Sequence, residues 1–156
     1  MNAMRQNAAE HLTEYVTVMI GDQLFGLPIA RVQDVFIPDR LTQVPLSPPE
    51  VAGILNLRGR IVTAIDMRRR LDLGKRDDGQ PVMAVGIEFK GESYGLLVDS
   101  VGEVMKLSAQ ACEMRPANLD ARLARVASGV VRLEGQLLVV LDVDRVLDMK
   151  GDAIAA

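Results

Sequence analysis

Gly53-Ile54-Leu55-Asn56-Leu57-Arg58-Gly59-Arg60-Ile61-Val62, ending at Asp66 and Leu71, returns as Gly129-Val130-Val131-Arg132-Leu133-Glu134-Gly135-Gln136-Leu137-Leu138, ending at Asp142 and Leu147. Two apolar runs parted by a dipeptide with glycine second read as a β-hairpin, because glycine supplies the positive φ that a two-residue turn needs. The aspartate that closes each copy reads as the N-cap of a short helix. An earlier pair repeats in the same order. Leu24-Phe25-Gly26-Leu27-Pro28-Ile29 followed by Val32-Gln33-Asp34-Val35-Phe36 is echoed by Ser93-Tyr94-Gly95-Leu96-Leu97-Val98 followed by Val101-Gly102-Glu103-Val104-Met105. Such fixed-period self-similarity marks a duplicated supersecondary unit, and two copies make a closed domain instead of a solenoid. Two similar halves invite two partners and a shared groove.

Working outward, Tyr15 to Ile20 alternates as a strand, with Val16, Val18 and Ile20 on one face. Gly21-Asp22 turns the chain into Gln23 to Leu27, and Pro28 to Arg31 reads as a tight turn or one helical turn. Val32 to Ile37 is a further strand, stopped by Pro38. Ser47 or Pro48 starts a short helix across Pro49 to Ala52, since proline suits a first turn. The charged, glycine-containing stretch Gly74 to Pro81 is the seam. In the second half, Val82 to Phe89, Ser93 to Val98 and Val101 to Met105 are strands, Leu107 to Arg125 is the least repeated part, and a last helix ends near Met149. The predicted organisation is a flexible tail over 1–14, one domain over 15–150 (halves about 15–80 and 81–150), and a flexible C-terminus over 151–156. Many short strands with regular turns give an all-β domain of two small barrels.

The chain has 156 residues, 49% hydrophobic and 25% charged, which fits one ordinary globular domain. No apolar run approaches the ~18 residues of a membrane span, so no direct membrane insertion is expected. Met1 to Glu10 lacks a signal-peptide pattern and the single cysteine, Cys112, cannot make an internal disulfide. Both point to the cytoplasm. A net charge of −3 and 3% aromatics, with no tryptophan, disfavour a nucleic-acid partner.

Candidate chemistry is sparse. His11 lies in the tail without a second histidine or cysteine to share a metal, and Cys112 has no activating neighbour in sequence. Asp66 and Asp142 read as helix caps before acid–base groups. Asp142-Val143-Asp144 lacks the glycine and terminal glutamate of a calcium loop. The basic cluster Arg68-Arg69-Arg70 with Lys75-Arg76 is either a solvated helix face or a dock for an acidic surface. Arg58 is replaced by Glu134 in the other copy, so the turn itself does not need arginine. Its two readings are a surface charge and part of a recognition face. No catalytic residue, cofactor or metal site emerges, and a scaffold without turnover is expected. The competing class is a small β-barrel that binds nucleic acid.

With Asn56-Leu57-Arg58-Gly59, Ile61-Val62 and Ile65-Asp66-Met67-Arg68, and with Gly26 to Val35 and its copy Gly95 to Val104, the chain resembles the CheW family of bacterial chemotaxis coupling proteins over about Tyr15 to Met149. The resemblance implies a mainly β fold: two pseudo-repeated five-stranded β-barrels, SH3/OB-like, with exchanged strands and a few short helices. It implies a non-enzymatic adaptor that couples transmembrane chemoreceptors to the histidine kinase CheA, is cytoplasmic, and is recruited to membrane-associated receptor arrays. Barrel ends would meet the kinase's CheW-like regulatory domain. A receptor's helical-hairpin tip would lie in a groove containing Val32, Asp34, Arg58, Met83, Val101 and Val104. Val32, Val101 and Val104 read equally as plain core valines. An ion pair between Asp34 and Arg58 is expected beside the groove. The family usually has glutamate at Asp34 and often proline where this chain has Thr63-Ala64. An adaptor of another chemosensory pathway, such as surface motility, is the alternative. A receiver domain, as in the CheV type, or kinase modules are not expected.

Overall fold

The computed structural model describes residues 12–74, 79–113 and 119–148. Its first hairpin is β1 (Leu12–Ile20) and β2 (Gln23–Pro28), followed by a 3-10 turn, Ile29–Arg31, and β3 (Val32–Phe36). The second hairpin is β4 (Val51–Leu57) and β5 (Arg60–Asp66), which runs into a helical turn, Met67–Arg70. The later copy supplies β6 (Met83–Phe89), β7 (Glu92–Val98), β8 (Ser100–Ser108), β9 (Cys112–Glu113), β10 (Ala127–Leu133) and β11 (Gln136–Leu141). Short helices follow at Ala121–Ala124 and Val143–Leu147.

The strands form two sheets with one plan. One has the order β8-β1-β2-β11-β10-β9 and the other β3-β6-β7-β5-β4. The first five positions of the first sheet match the second sheet strand for strand, so the copies are related by exchange. Each first hairpin leaves its own half and inserts beside the other half's second hairpin. The seams are the parallel pairs, β2 with β11 and β5 with β7, where Gly26 meets Val140 and Gly95 meets Ala64. All other pairs are antiparallel.

This exchange explains why the central strands read as unbroken apolar runs. Residues 84–87, 95–98 and 138–141 are buried throughout, because both faces of each strand are covered. One face, with Phe25, Ile65, Ile87, Leu96, Val130 and Leu141 among others, packs into a core common to the two sheets. The other faces fill two small interiors, Ala64, Ala84 and Leu97 in one sheet and Val131, Leu138 and Val140 in the other. Fully burying a leucine or isoleucine contributes ~1.5–3 kcal/mol, so the common core ties the halves together.

The second sheet curls shut. Thr42 and Ile54 exchange backbone hydrogen bonds of 2.8 and 2.8 Å, which joins the chain after β3 to the far edge strand β4. Gly53, at φ 153, permits this contact, since a Cβ there would lie 2.6 Å from the Thr42 carbonyl oxygen. In the first sheet β9 occupies the same place, with Glu113 opposite Val130. The stretch read as least repeated therefore keeps its closing contact.

Some expectations need correction. The tail expected over 1–14 gives way to β1 from Leu12, because Leu12 to Glu14 pair with Ser108 to Lys106. No helix forms over 47–52. Two turns stand there, with Leu46 at φ 62 and Val51 N–H bonded to the Pro48 carbonyl at 3.0 Å, and β4 then takes up residues 51 and 52. β8 extends to Ser108, and the last helix stops at Leu147. The expectations for residues 1–11, His11 among them, for Lys75-Arg76 and for 151–156 lie outside the described residues. Asp66 and Asp142 do cap helices: Asp66 accepts from the Arg68 and Arg69 N–H groups, and Asp142 from that of Arg145.

Candidate functional site

The β4–β5 hairpin tip explains its own sequence. Arg58 and Gly59 lie at φ 53 and 84, both positive as a type I′ turn demands. Asn56 Oδ1 accepts the Gly59 N–H at 2.8 Å and holds the turn. Asparagine and glycine are thus required by the tip, whereas Arg58 adopts an uncommon backbone conformation for a side chain that points to solvent. Among the described residues no ion pair involves Arg58.

The expected partner of Asp34 is corrected. Asp34 Oδ2 meets Arg60 Nη2 at 3.3 Å, one residue beyond the turn. Arg60 opens β5, directly across from Leu57, and from there its side chain reaches β3. Arg58, within the turn, is carried outward. The pair is incompletely satisfied, because Asp34 Oδ1 and Arg60 Nε are buried without a hydrogen-bond partner. Asp34 also lies over Gly86 on β6, where a Cβ would collide with Oδ1. Side chains here are 37% and 41% exposed, so the attraction is worth only ~0.2–1 kcal/mol.

The six groove candidates separate by position. Val32 pairs with Ile87 on β6, and Met83 stands at the opposite end of that strand. Val32, Met83 and Val101 are partly buried and pack on the common core, the first two from one sheet and the third from the other. Val104, opposite Val16, is 46% exposed. Arg58 is exposed and Asp34 half-buried. The structure thus brings three of the six onto one core and sets Val104 and Arg58 facing solvent on different sheets.

Sequence reasoning passed over other surface residues. Val35 is 41% exposed on β3. It is the repeat counterpart of Val104, a signal available in the alignment of the two copies. Further exposed apolar side chains belong to the second sheet and its loop: Ile37, Leu41, Val44 and Leu46 from the β3–β4 connection, with Ile61 from β5. Leu46 is fully exposed and Ile61 is 58% exposed. Ile61 also lines a shallow depression with Asp39, Arg40, Thr42, Ile54 and Asn56.

Several charged groups elsewhere are committed to internal contacts. Arg68 holds Asp99 at 2.6 Å, and Arg70 donates to the Val146 and Arg145 carbonyls at 2.7 and 3.0 Å. Of the basic cluster, then, only Arg69 is exposed among the described residues. Arg132 binds Glu113 across the β9–β10 edge at 2.8 Å, which raises the arginine's already high pKa. Burial pushes the Cys112 thiol up, away from a reactive thiolate. Among the described residues, no cluster of His, Cys, Asp and Glu could hold a metal, and no helix is long and apolar enough to cross a membrane.

The CheW-like domain model matches residues 14–151, from β1 through the last helix. The chain belongs to the CheW-like family. Among curated proteins it is 28% identical to the chemotaxis protein CheW of Rhizobium meliloti, over 90% of this chain and 93% of that one. It is 24% identical to the chemotaxis protein CheW of Bacillus subtilis, over 90% of each chain. Among solved structures it is similar to the scaffolding protein TtCheW of Thermoanaerobacter tengcongensis. The TM-score is 0.75 at 27% identity, covering 83% of this chain and 88% of that one. The exchanged two-sheet architecture is accordingly the CheW-like fold, and the chain is a chemotaxis-type scaffold by family.

Proposed function

We propose that the protein is an adaptor without catalytic turnover that couples chemoreceptors to the histidine kinase CheA. The observation that carries this reading is the CheW-like match over residues 14–151, which takes in both sheets, and an adaptor of this kind would work through binding surfaces. Two such surfaces are distinct. The edge strands β3 and β8 occupy equivalent places in the two sheets and carry the equivalent exposed valines Val35 and Val104. A receptor helix laying its apolar face along Val32, Asp34, Met83, Val101 and Val104 follows the helix-in-groove mode of recognition. The closed end of the second sheet, with Leu41, Val44, Leu46 and Ile61, suits the kinase's CheW-like regulatory domain. Arg58 at the neighbouring hairpin tip would serve as a rim charge, tuning partner choice and association rate more than affinity.

A pull-down with receptor signalling fragments and with CheA tests the proposal, run beside a salt-titrated DNA and RNA binding assay. Retention of both proteins is expected, as is recruitment of the adaptor to membrane-associated arrays in cells. Tight nucleic-acid binding without kinase or receptor retention would overturn it.

A further inference from the structure

Arg68 and Asp144 stand two residues after the equivalent caps Asp66 and Asp142, so they hold the same place in the two copies with opposite charge. Each reaches the bend through which the other copy's first hairpin crosses between sheets. Arg68 grips Asp99, between β7 and β8, with Nε–Oδ1 3.0 Å and Nη2–Oδ2 2.6 Å. Asp144 Oδ1 meets Arg31 Nη1 at 2.8 Å, and Arg31 ends the turn between β2 and β3. In the repeat alignment Ala30 and Arg31 correspond to Asp99 and Ser100, so the two contacts sit on equivalent bends.

We propose that these charge-inverted pairs decide which copies associate, favouring the unlike pairing within one chain over like-with-like exchange between two chains. The seams alone discriminate poorly. β5–β7 and β2–β11 have the same direction and the same glycine-to-aliphatic contact. A β1–β2 hairpin from a second molecule therefore has the right pattern to enter beside β5. By the geometry of the native seam it would carry Arg31 to Arg68. The reciprocal exchange, β6–β7 beside β11, would carry Asp99 to Asp144. Both place like charges together, a standard means of rejecting a wrong partner. Arg70 reinforces the choice. It donates to the carbonyl of Val146, its own repeat counterpart, so this contact lies on the pseudo-twofold. Like-with-like pairing of the first copies would confront two Arg70 side chains there.

The test is Arg31→Asp with Asp144→Arg in the full chain. These side chains are 33% and 63% exposed. The double variant keeps its attraction within the chain but gives both copies the same polarity, basic on the helix and acidic at the bend. After refolding at high protein concentration, size exclusion with light scattering should show exchange dimer raised about tenfold over wild type, equivalent to ~1.4 kcal/mol. Its monomer should keep the wild-type circular dichroism. The neutral variant Arg31→Ala with Asp144→Ala should fall between the two. Wild-type dimer levels in the reversal would overturn the proposal. So would a neutral variant that dimerises as much as the reversal, since that would make loss of the pair, and not polarity, the cause.

Discussion

Gly53→Ala should be among the most damaging single-methyl changes in this protein, and its cost can be built from parts. Gly53 adopts φ 153, a region nearly closed to residues with a Cβ, and forcing one there costs ~1–3 kcal/mol. The new Cβ would also sit 2.6 Å from the Thr42 carbonyl oxygen, inside contact distance. Relieving that clash pulls Thr42 away from Ile54 and endangers two 2.8 Å hydrogen bonds, each worth ~0.5–1.5 kcal/mol net. The sum is ~2–6 kcal/mol, against a typical total stability of ~5–15 kcal/mol. Gly129 is the internal control. It has the matching position in the first sheet but no positive φ, and its Cβ would strike the Cys112 Sγ, with the Glu113 carbonyl at 3.1 Å. Gly129→Ala should therefore cost only the ~1–3 kcal/mol of overpacking, and Cys112→Ala should recover part of it. Urea unfolding followed by circular dichroism measures all three variants. If Gly53→Ala unfolds within ~0.5 kcal/mol of wild type, the closing bridge does not depend on glycine and the reasoning fails.

The Asp34–Arg60 pair should couple in a double-mutant cycle on receptor binding, whereas Asp34 and Arg58 should add independently; coupling to Arg58 instead would reverse the assignment. Asp66→Ala and Asp142→Ala should each lower stability by ~0.5–2 kcal/mol in denaturant unfolding without touching partner binding at saturating concentrations. Val35→Asp with Val104→Asp should fold normally by near-ultraviolet and far-ultraviolet circular dichroism yet weaken receptor retention; retention at the wild-type level would remove the edge strands from the site. The hydrogen bond from Arg122 holds the Asp120 carboxyl down to about 2. Its contribution should be complete above the unfolded carboxyl pKa, ~3.9, and fade as pH falls towards 2, which a carboxyl NMR titration would follow.

The hairpins and the caps were legible because each rests on local chemistry, whereas the exchange, made of long-range parallel pairs, was implied only by the family resemblance. Glycine at a turn and aspartate before a helix leave the same mark in both copies. Ser47-Pro48-Pro49 misled because a helix-starting proline signal was overridden by β4, whose residues 51 and 52 are drawn into the hairpin with β5. β9 was missed because two residues carry no period, and their role shows only when Gly129 is set against Cys112. At the candidate site, the carboxylate at Asp34 was visible but its partner was not. Sequence places Arg58 and Arg60 two residues apart, and only the turn geometry, φ 53 at Arg58, sends one outward and leaves the other to reach β3.

Comparing the copies separates what the architecture requires from what it leaves open. Gly53 and Gly129, Gly59 and Gly135, and Asp66 and Asp142 match because a close approach, a turn and a cap impose the same demand twice. Arg58 against Glu134 and Arg68 against Asp144 differ in charge at equivalent places, so the fold tolerates either sign there. Arg68 and Asp144 resolve into internal pairs with opposite partners, which is what distinguishing two similar halves calls for. Arg58 has no such internal partner among the described residues, and its exposed tip stands on the hairpin that also carries the exposed Ile61. A charge free of structural duty beside apolar surface is where selection for a partner can act without a cost in stability, and there Arg58→Glu should change binding while melting stays near wild type.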